Sequence, residues 1–127
     1  MSQNLPEKIA AFTRLLALMD QLREKCPWDK KQTNESLRSL TIEETYELAD
    51  AILNNDASAK REELGDLMLH LVFYAKIGEE NNEYDIADII NTLCDKMERR
   101  HPHIYGDMVL TDADAVIRNW EQMKLKE

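Results

Sequence analysis

Four acidic residues occupy positions where a helical protein would normally build its core. Glu44 and Glu47 belong to a run, Leu37, Leu40, Glu44, Glu47 and Ala51, spaced by alternating steps of three and four, so all five share one face of a helix. Glu63 and Asp66, three residues apart, project from one face of a second helix. The rest of that helix is apolar nearly all round, with Leu64, Leu67, Met68, Leu69, Leu71, Val72, Phe73, Tyr74, Ala75 and Ile77, a pattern that calls for burial on every side. An antiparallel pairing through the short Asn54-Asn55-Asp56 turn brings the four carboxylates to one level. Two unit charges about 4 Å apart repel by roughly 4 kcal/mol at an effective dielectric near 20, and burying an unpaired charge costs several more. The cluster therefore needs protons or a cation, and at pH 7 the cation is the better solution. All-oxygen ligands select a hard ion, Mg²⁺ with Mn²⁺ as a possible substitute. Against this, Asp and Glu supply 25 of the 127 residues, so acidic pairs at this spacing also arise by chance on solvated faces. Two pairs on the apolar stripes of consecutive helices put the metal site and the solvated face on even terms.

The same residues carry a resemblance. Glu43-Glu44-Thr45-Tyr46-Glu47 followed by Glu63-Leu64-Gly65-Asp66 matches the EExxE and ExxD signature of the MazG-type nucleoside triphosphate pyrophosphohydrolases. The chain also resembles that family at Cys26-Pro27-Trp28-Asp29, along Asp95 to His103, and at Trp120 with Lys124, which is nearly the whole length from about Leu15. The resemblance implies an all-helical enzyme that uses Mg²⁺ to cleave nucleoside triphosphates to monophosphate and pyrophosphate. On that reading Glu44, Glu47, Glu63 and Asp66 are metal ligands and catalytic residues. Lys96 and Arg100 hold the outer phosphates, Trp28 stands at the rim, and Trp120 and Lys124 close over the nucleotide. Larger members carry two copies of the domain in tandem and this chain carries one, closer to the first copy in its CPWD and RRHPH elements.

Several residues support two readings each. Glu43, about 100° round the helix from Glu44, can orient or deprotonate the attacking water, or be an ordinary exposed glutamate. Lys60 and Arg61, a turn ahead of Glu63 and Asp66, can meet phosphate or pair with neighbouring glutamates. Trp28 can be a lid over the core or a platform for a base. Trp120 is most simply a residue that docks the last helix. Lys96, Arg99, Arg100, His101 and His103 form the densest positive patch, which either serves a phosphate or complements a helix C-terminus. His101 and His103, spaced HxH, are a weak transition-metal pair. Gly65 inside a helix costs up to about 1 kcal/mol relative to Ala, to be offset by close approach of a helix or of bound phosphate.

Composition bounds the rest. A chain of 127 residues is expected to be one domain. It is 43% hydrophobic and 32% charged with three Gly and three Pro, which suits a helix-rich globular protein. A net charge of −9 argues against nucleic acid as the ligand. The longest apolar run is too short for a bilayer and no secretory signal is legible at the start, so a cytoplasmic protein with no membrane partner is expected. Cys26 and Cys94 form no framework and suit a reducing compartment.

The expected fold is all-α, a bundle of four to five helices. Helices are expected over Pro6 to about Lys25, Asn34 to Leu53, Ser58 to Gly78 or Glu80, about Asp85 to Arg100, and about Asp112 to Lys126, with Ser58, Asp85 and Thr111 as caps. Residues 26–33 are expected to be a loop broken at Pro27, and Ile86, Ile89, Ile90, Leu93 and Met97 to face inward. A helix apolar on all sides needs more cover than one small bundle gives. A homodimer or dimer of dimers is therefore expected, with sites at or near the subunit interface. Two other classes compete: a di-iron bundle, disfavoured because neither Glu44 nor Glu63 has His three residues on, and a non-catalytic helical module that binds metal and nucleotide or a protein partner.

Overall fold

The computed structural model describes residues 3–127, and every regular element among them is helical: α1 Leu5–Lys25, α2 Pro27–Lys31, α3 Asn34–Leu53, α4 Ala57–Glu80, α5 Ile86–Arg100, α6 Pro102–Tyr105 and α7 Ala113–Lys126. The all-α expectation and the four interhelix breaks are met. Two short helices were not foreseen, α2 where a loop was expected and α6 after His101. The described residues divide into two compact units, one ending at Ile86 and one beginning at Ala87.

Local chemistry sets the boundaries. Thr33 caps α3 through a capping box, accepting from Ser36 N at 3.1 Å while its own N–H donates to Ser36 Oγ at 2.8 Å. Asp56, not Ser58, caps α4 by accepting from Ala59 N at 3.1 Å. Asp112, not Thr111, caps α7 by accepting from Ala115 N at 2.8 Å. In both cases a nearby carboxylate, two residues before Ser58 and one after Thr111, supplies the acceptor, and it also favours the positive end of the helix dipole. Asn55 and Asn82 take left-handed conformations, φ 49° and 58°, in the turns after α3 and α4. Asparagine tolerates that region better than most residues, which explains the paired asparagines at both turns. Gly78, buried in α4, lets the Tyr84 ring lie against the helix, since a Cβ there would collide with it.

In the first unit α3 and α1 both pack on α4, and α2 packs on α1. Met19, Leu37, Val72, Phe73 and Ile77 form the buried centre, surrounded by Phe12, Leu15, Leu16, Leu40, Leu69 and Tyr74. This core encloses only the C-terminal half of α4. Leu64, Met68 and Leu71, at steps of four and three, remain 54%, 46% and 49% exposed. Burial of this helix on every side is therefore not achieved within one chain.

α2 is fixed by one side chain. Arg23 Nη1 donates to the carbonyls of Asp29 (2.7 Å), Lys30 (3.2 Å) and Gln32 (2.8 Å), three of the acceptors that a helix end leaves unpaired. Its Nε and Nη2 reach the Glu80 carboxylate at 2.9 Å, and its guanidinium lies 5.6 Å from the Phe73 ring centre. A Pro27 start and an arginine stop make a helix of five residues that pattern alone does not show.

In the second unit Arg99 and Arg100 at the end of α5 both pair with Glu127. Trp120 of α7 meets His101 edge-on at 5.2 Å and the Arg100 guanidinium at 5.2 Å. Ile89, Ile90 and Leu93, expected inside, are exposed.

Candidate functional site

Glu44 lies midway along α3, and Glu63 and Asp66 lie in the second and third turns of α4. Antiparallel packing of the two helices brings one carboxylate oxygen of each to within 4.8 Å of the others, all three residues being half-buried. Glu44 Oε2 and Glu63 Oε2 are enclosed by protein and have no hydrogen-bond partner. A buried oxygen left unpaired costs the desolvation of that group, and here two members of one carboxylate cluster, on different helices, each carry such an oxygen.

The charges are correspondingly strained. Burial, followed by the charges of Glu47 and Asp66, holds the Glu44 carboxyl above the ordinary glutamate range. The Glu63 carboxyl is raised first by the close approach of the Glu44 carboxyl and then by burial. Glu47, on the exposed side, is raised by its contact with Glu63, by desolvation, and by the charges of Glu63 and Glu43. Four carboxyls thus interact as one group, three of them closely enough to share a ligand. Oxygens bound to one hard ion at about 2.0–2.6 Å lie no more than about 4–5 Å apart across it. The separation found here, the orphaned oxygens and the all-carboxylate donor set fit a small hard cation.

The remaining candidates are distributed as follows. Glu43 is exposed on α3 and is felt through its charge on Glu47. Arg61 is exposed in the first turns of α4, and no ion pair holds it among the described residues, so its salt-bridge reading is not realised. Lys60 Nζ reaches Asn55 Oδ1 at 3.4 Å. Among the described residues, nothing beyond the neighbouring turns of α4 itself comes within 4 Å of where a Cβ on Gly65 would stand, so no packed helix among them accounts for that glycine. Trp28 is 54% exposed on α2, which Arg23 ties to Glu80. At 1.5 Å per residue Glu80 is about 21 Å along α4 from Asp66, so α2 belongs to the opposite end of that helix from the carboxylates.

In the second unit Lys96 is half-buried and makes no ion pair among the described residues, whereas Arg100 is engaged by Glu127 and Trp120. Lys124 is exposed. His101 Nδ1 lies 2.6 Å from the Met97 carbonyl, and the His103 ring, 5.5 Å away between centres, has an enclosed Nδ1 with no partner. No third ligand joins the two imidazoles among the described residues.

One group was missed at the sequence level. Thr41 Oγ1 lies 2.8 Å from His70 Nδ1, 2.5 Å from the Tyr74 hydroxyl and 3.1 Å from the Leu37 carbonyl. The signal was available: His70 follows Glu63 and Asp66 by seven and four residues, on their face of an otherwise apolar helix.

Comparison with known proteins places this geometry in a family. The model of the MazG nucleotide pyrophosphohydrolase domain matches residues 32–105, which include all five acidic candidates, Arg61, Lys96 and Arg100 and leave out Trp28, Trp120 and Lys124. The chain is 44% identical over 117 residues to the nucleoside triphosphate pyrophosphohydrolase of Escherichia coli K12, a match covering 90% of this chain and 44% of that protein. It is 43% identical over 118 residues to the nucleoside triphosphate pyrophosphohydrolase/pyrophosphatase MazG of Thermotoga maritima, covering 91% and 45%. The chain therefore spans somewhat under half the length of these curated relatives. Among solved structures it is similar to a mazG-related protein from Thermotoga maritima, with a TM-score of 0.76, 26% identity, and coverage of 89% of this chain and 98% of that one.

Proposed function

The chain belongs to the MazG nucleotide pyrophosphohydrolase family, and from that premise we propose that it hydrolyses ribo- or deoxyribonucleoside triphosphates to the monophosphate and pyrophosphate with Mg²⁺, in nucleotide-pool housecleaning. The observation that carries this reading is the approach of carboxylate oxygens of Glu44, Glu63 and Asp66 to within 4.8 Å of one another from two helices, with a buried, unpartnered oxygen on Glu44 and on Glu63. Glu44, Glu47, Glu63 and Asp66 hold the ion, and Mn²⁺ can replace it. Bound there, the ion supplies positive charge for the phosphates and acidifies a coordinated water. Glu43 would orient the attacking water or take its proton as the water oxygen bonds to the α-phosphorus and the α–β bridging bond breaks, so that the monophosphate forms and pyrophosphate leaves. Arg61, which has no ion pair among the described residues, contacts phosphate with Lys96 and Arg100, and Trp120 and Lys124 close over the nucleotide.

A second copy of the chain completes the fold. Leu64, Met68 and Leu71 on α4 and Ile42 and Tyr46 on α3 are each about half exposed or more, apolar exposure on two adjoining helices of the kind that marks a contact surface. A homodimer, or a dimer of dimers, covers it. Trp28, tied to the far end of α4, enters this reading through the site of a partner chain. The unpaired Cys26 and Cys94 suit a cytoplasmic setting.

The test is pyrophosphate release from a panel of ribo- and deoxyribonucleoside triphosphates with Mg²⁺, beside Glu44→Gln/Glu63→Gln and chelator controls. Stoichiometric monophosphate and pyrophosphate, abolished by both controls, is the expected result. Silence on every nucleotide, with Mg²⁺ still raising the melting temperature, would leave a non-catalytic metal-binding module as the better account.

A further inference from the structure

The hydroxyl of Thr41 is saturated. A carbonyl only accepts, so the contact with Leu37 O takes the one proton that the hydroxyl can donate. The contacts with Tyr74 and His70 must then run inward, with the phenol O–H and the Nδ1–H both donating to Thr41 Oγ1. This assignment satisfies all three contacts, and it fixes the proton of a neutral His70 on Nδ1. All three side chains are half-buried.

The place of this network matters more than its chemistry. Thr41 precedes Glu44 by three residues on α3, and His70 follows Asp66 by four on α4. The network is therefore the level of the α3·α4 seam next to the carboxylates, between them and the apolar level of Leu37, Phe73 and Ile77. Like charges at the carboxylate level push the two helices apart. Two hydrogen bonds that cross from α4 to α3, one turn away, oppose that separation, and no salt bridge joins the two helices among the described residues.

We propose that Thr41, His70 and Tyr74 are positioning residues that hold α3 against α4 before any cation binds, keeping the carboxylates at ligating separation. The inference rests on the metal reading of the cluster given above. The ion then meets a preformed site rather than assembling one, and the network acts on cation affinity more than on the nucleotide.

The experiment is Mn²⁺ binding to the intact chain, followed by electron paramagnetic resonance or calorimetry, without nucleotide. Thr41→Val, which keeps the shape and removes the hub, should raise the Mn²⁺ dissociation constant about tenfold, equivalent to about 1.4 kcal/mol. Tyr74→Phe should raise it by a smaller factor, and Thr41→Ser should restore it. KM for the nucleotide at saturating metal should change less than twofold. Leu37→Val, on the apolar level, provides the comparison: it should lower the melting temperature without altering Mn²⁺ affinity. Equal loss of affinity in Leu37→Val, or wild-type affinity in both Thr41→Val and Tyr74→Phe, overturns the proposal while leaving the metal site standing. If Thr41→Val does not fold, Tyr74→Phe decides alone. Absence of Mn²⁺ binding by the wild-type chain instead removes the metal reading itself, and this inference with it.

Discussion

The two ends of the α3·α4 pair are built on the same backbone and filled in opposite ways. At one end Leu37 meets Phe73 and Ile77 in a closed apolar contact; about two turns away Glu44 meets Glu63 and Asp66 with two oxygens left unpaired. The apolar end is complete in the chain as it stands. The acidic end sets like charges against one another. Helix geometry is indifferent to which filling is used, so the contrast lies in side chains alone, and only the apolar end stabilises the pair by itself.

Substitutions can separate the two ends. Phe73→Ala should cost about 3–5 kcal/mol of folding stability, read by denaturant unfolding, with little change in turnover per folded molecule. Glu44→Gln should do the reverse: turnover falls about 100-fold or more, while the metal-free protein melts higher because one repelling charge is gone. If Glu44→Gln destabilised the protein as Phe73→Ala does, the contrast would collapse. Leu71→Glu, on the exposed stripe of α4 between the carboxylates and Phe73, should weaken the proposed self-association about tenfold in sedimentation equilibrium, since a charge would then be buried at the contact.

Acidity sharpens the comparison further. Glu44, Glu47 and Glu63 hold protons more tightly when folded, so the metal-free protein loses stability as pH rises from the ordinary glutamate value of 4.5 and regains it on mild acidification. Glu80 and Glu127 behave oppositely. Their arginine partners lower them, Glu127 to about 2, so the stability they contribute is full above 4.5 and fades only below it. A metal-free melting temperature higher in mildly acidic solution than at neutral pH, with the difference reduced by Mg²⁺, is expected. A flat profile without metal would mean that the carboxyls do not strain the fold. The smallest effect belongs to the second unit. Glu127→Gln releases Arg99 and Arg100 from their shared carboxylate, and if these arginines meet phosphate, KM should fall about two- to fivefold.

Most of the fold and the centre of the site were legible because they depend on periodicity. The run Leu37, Leu40, Glu44, Glu47, Ala51 and the pair Glu63 and Asp66 locate the carboxylates, and the bounds Asn34–Leu53 are those expected. What was not legible depends on contacts between residues distant in sequence. α2 exists because Arg23 and Glu80, 57 residues apart, close its end. The Thr41 network joins residues 29 and 33 apart, and in one dimension Tyr74 reads as part of an apolar run. The caps at Asp56 and Asp112 were displaced because several polar residues competed at each turn. The inward reading of Ile89, Ile90 and Leu93 assumed a cover that the chain does not supply.

The Arg23 clasp has a consequence for slow motions. Five residues cannot sustain a helix alone, because nucleation costs more than so few hydrogen bonds return. The amides of Lys30 and Gln32, which donate to Cys26 and Asp29 carbonyls, should therefore exchange with deuterium only when the Arg23–Glu80 contact opens. Their protection should follow that of the last turn of α4 rather than that of the exposed turns nearby. Residues 26–32 and the end of α4 then form one cooperative opening unit, and the exposed Trp28 is carried on a surface that is rigid because of an ion pair beneath it.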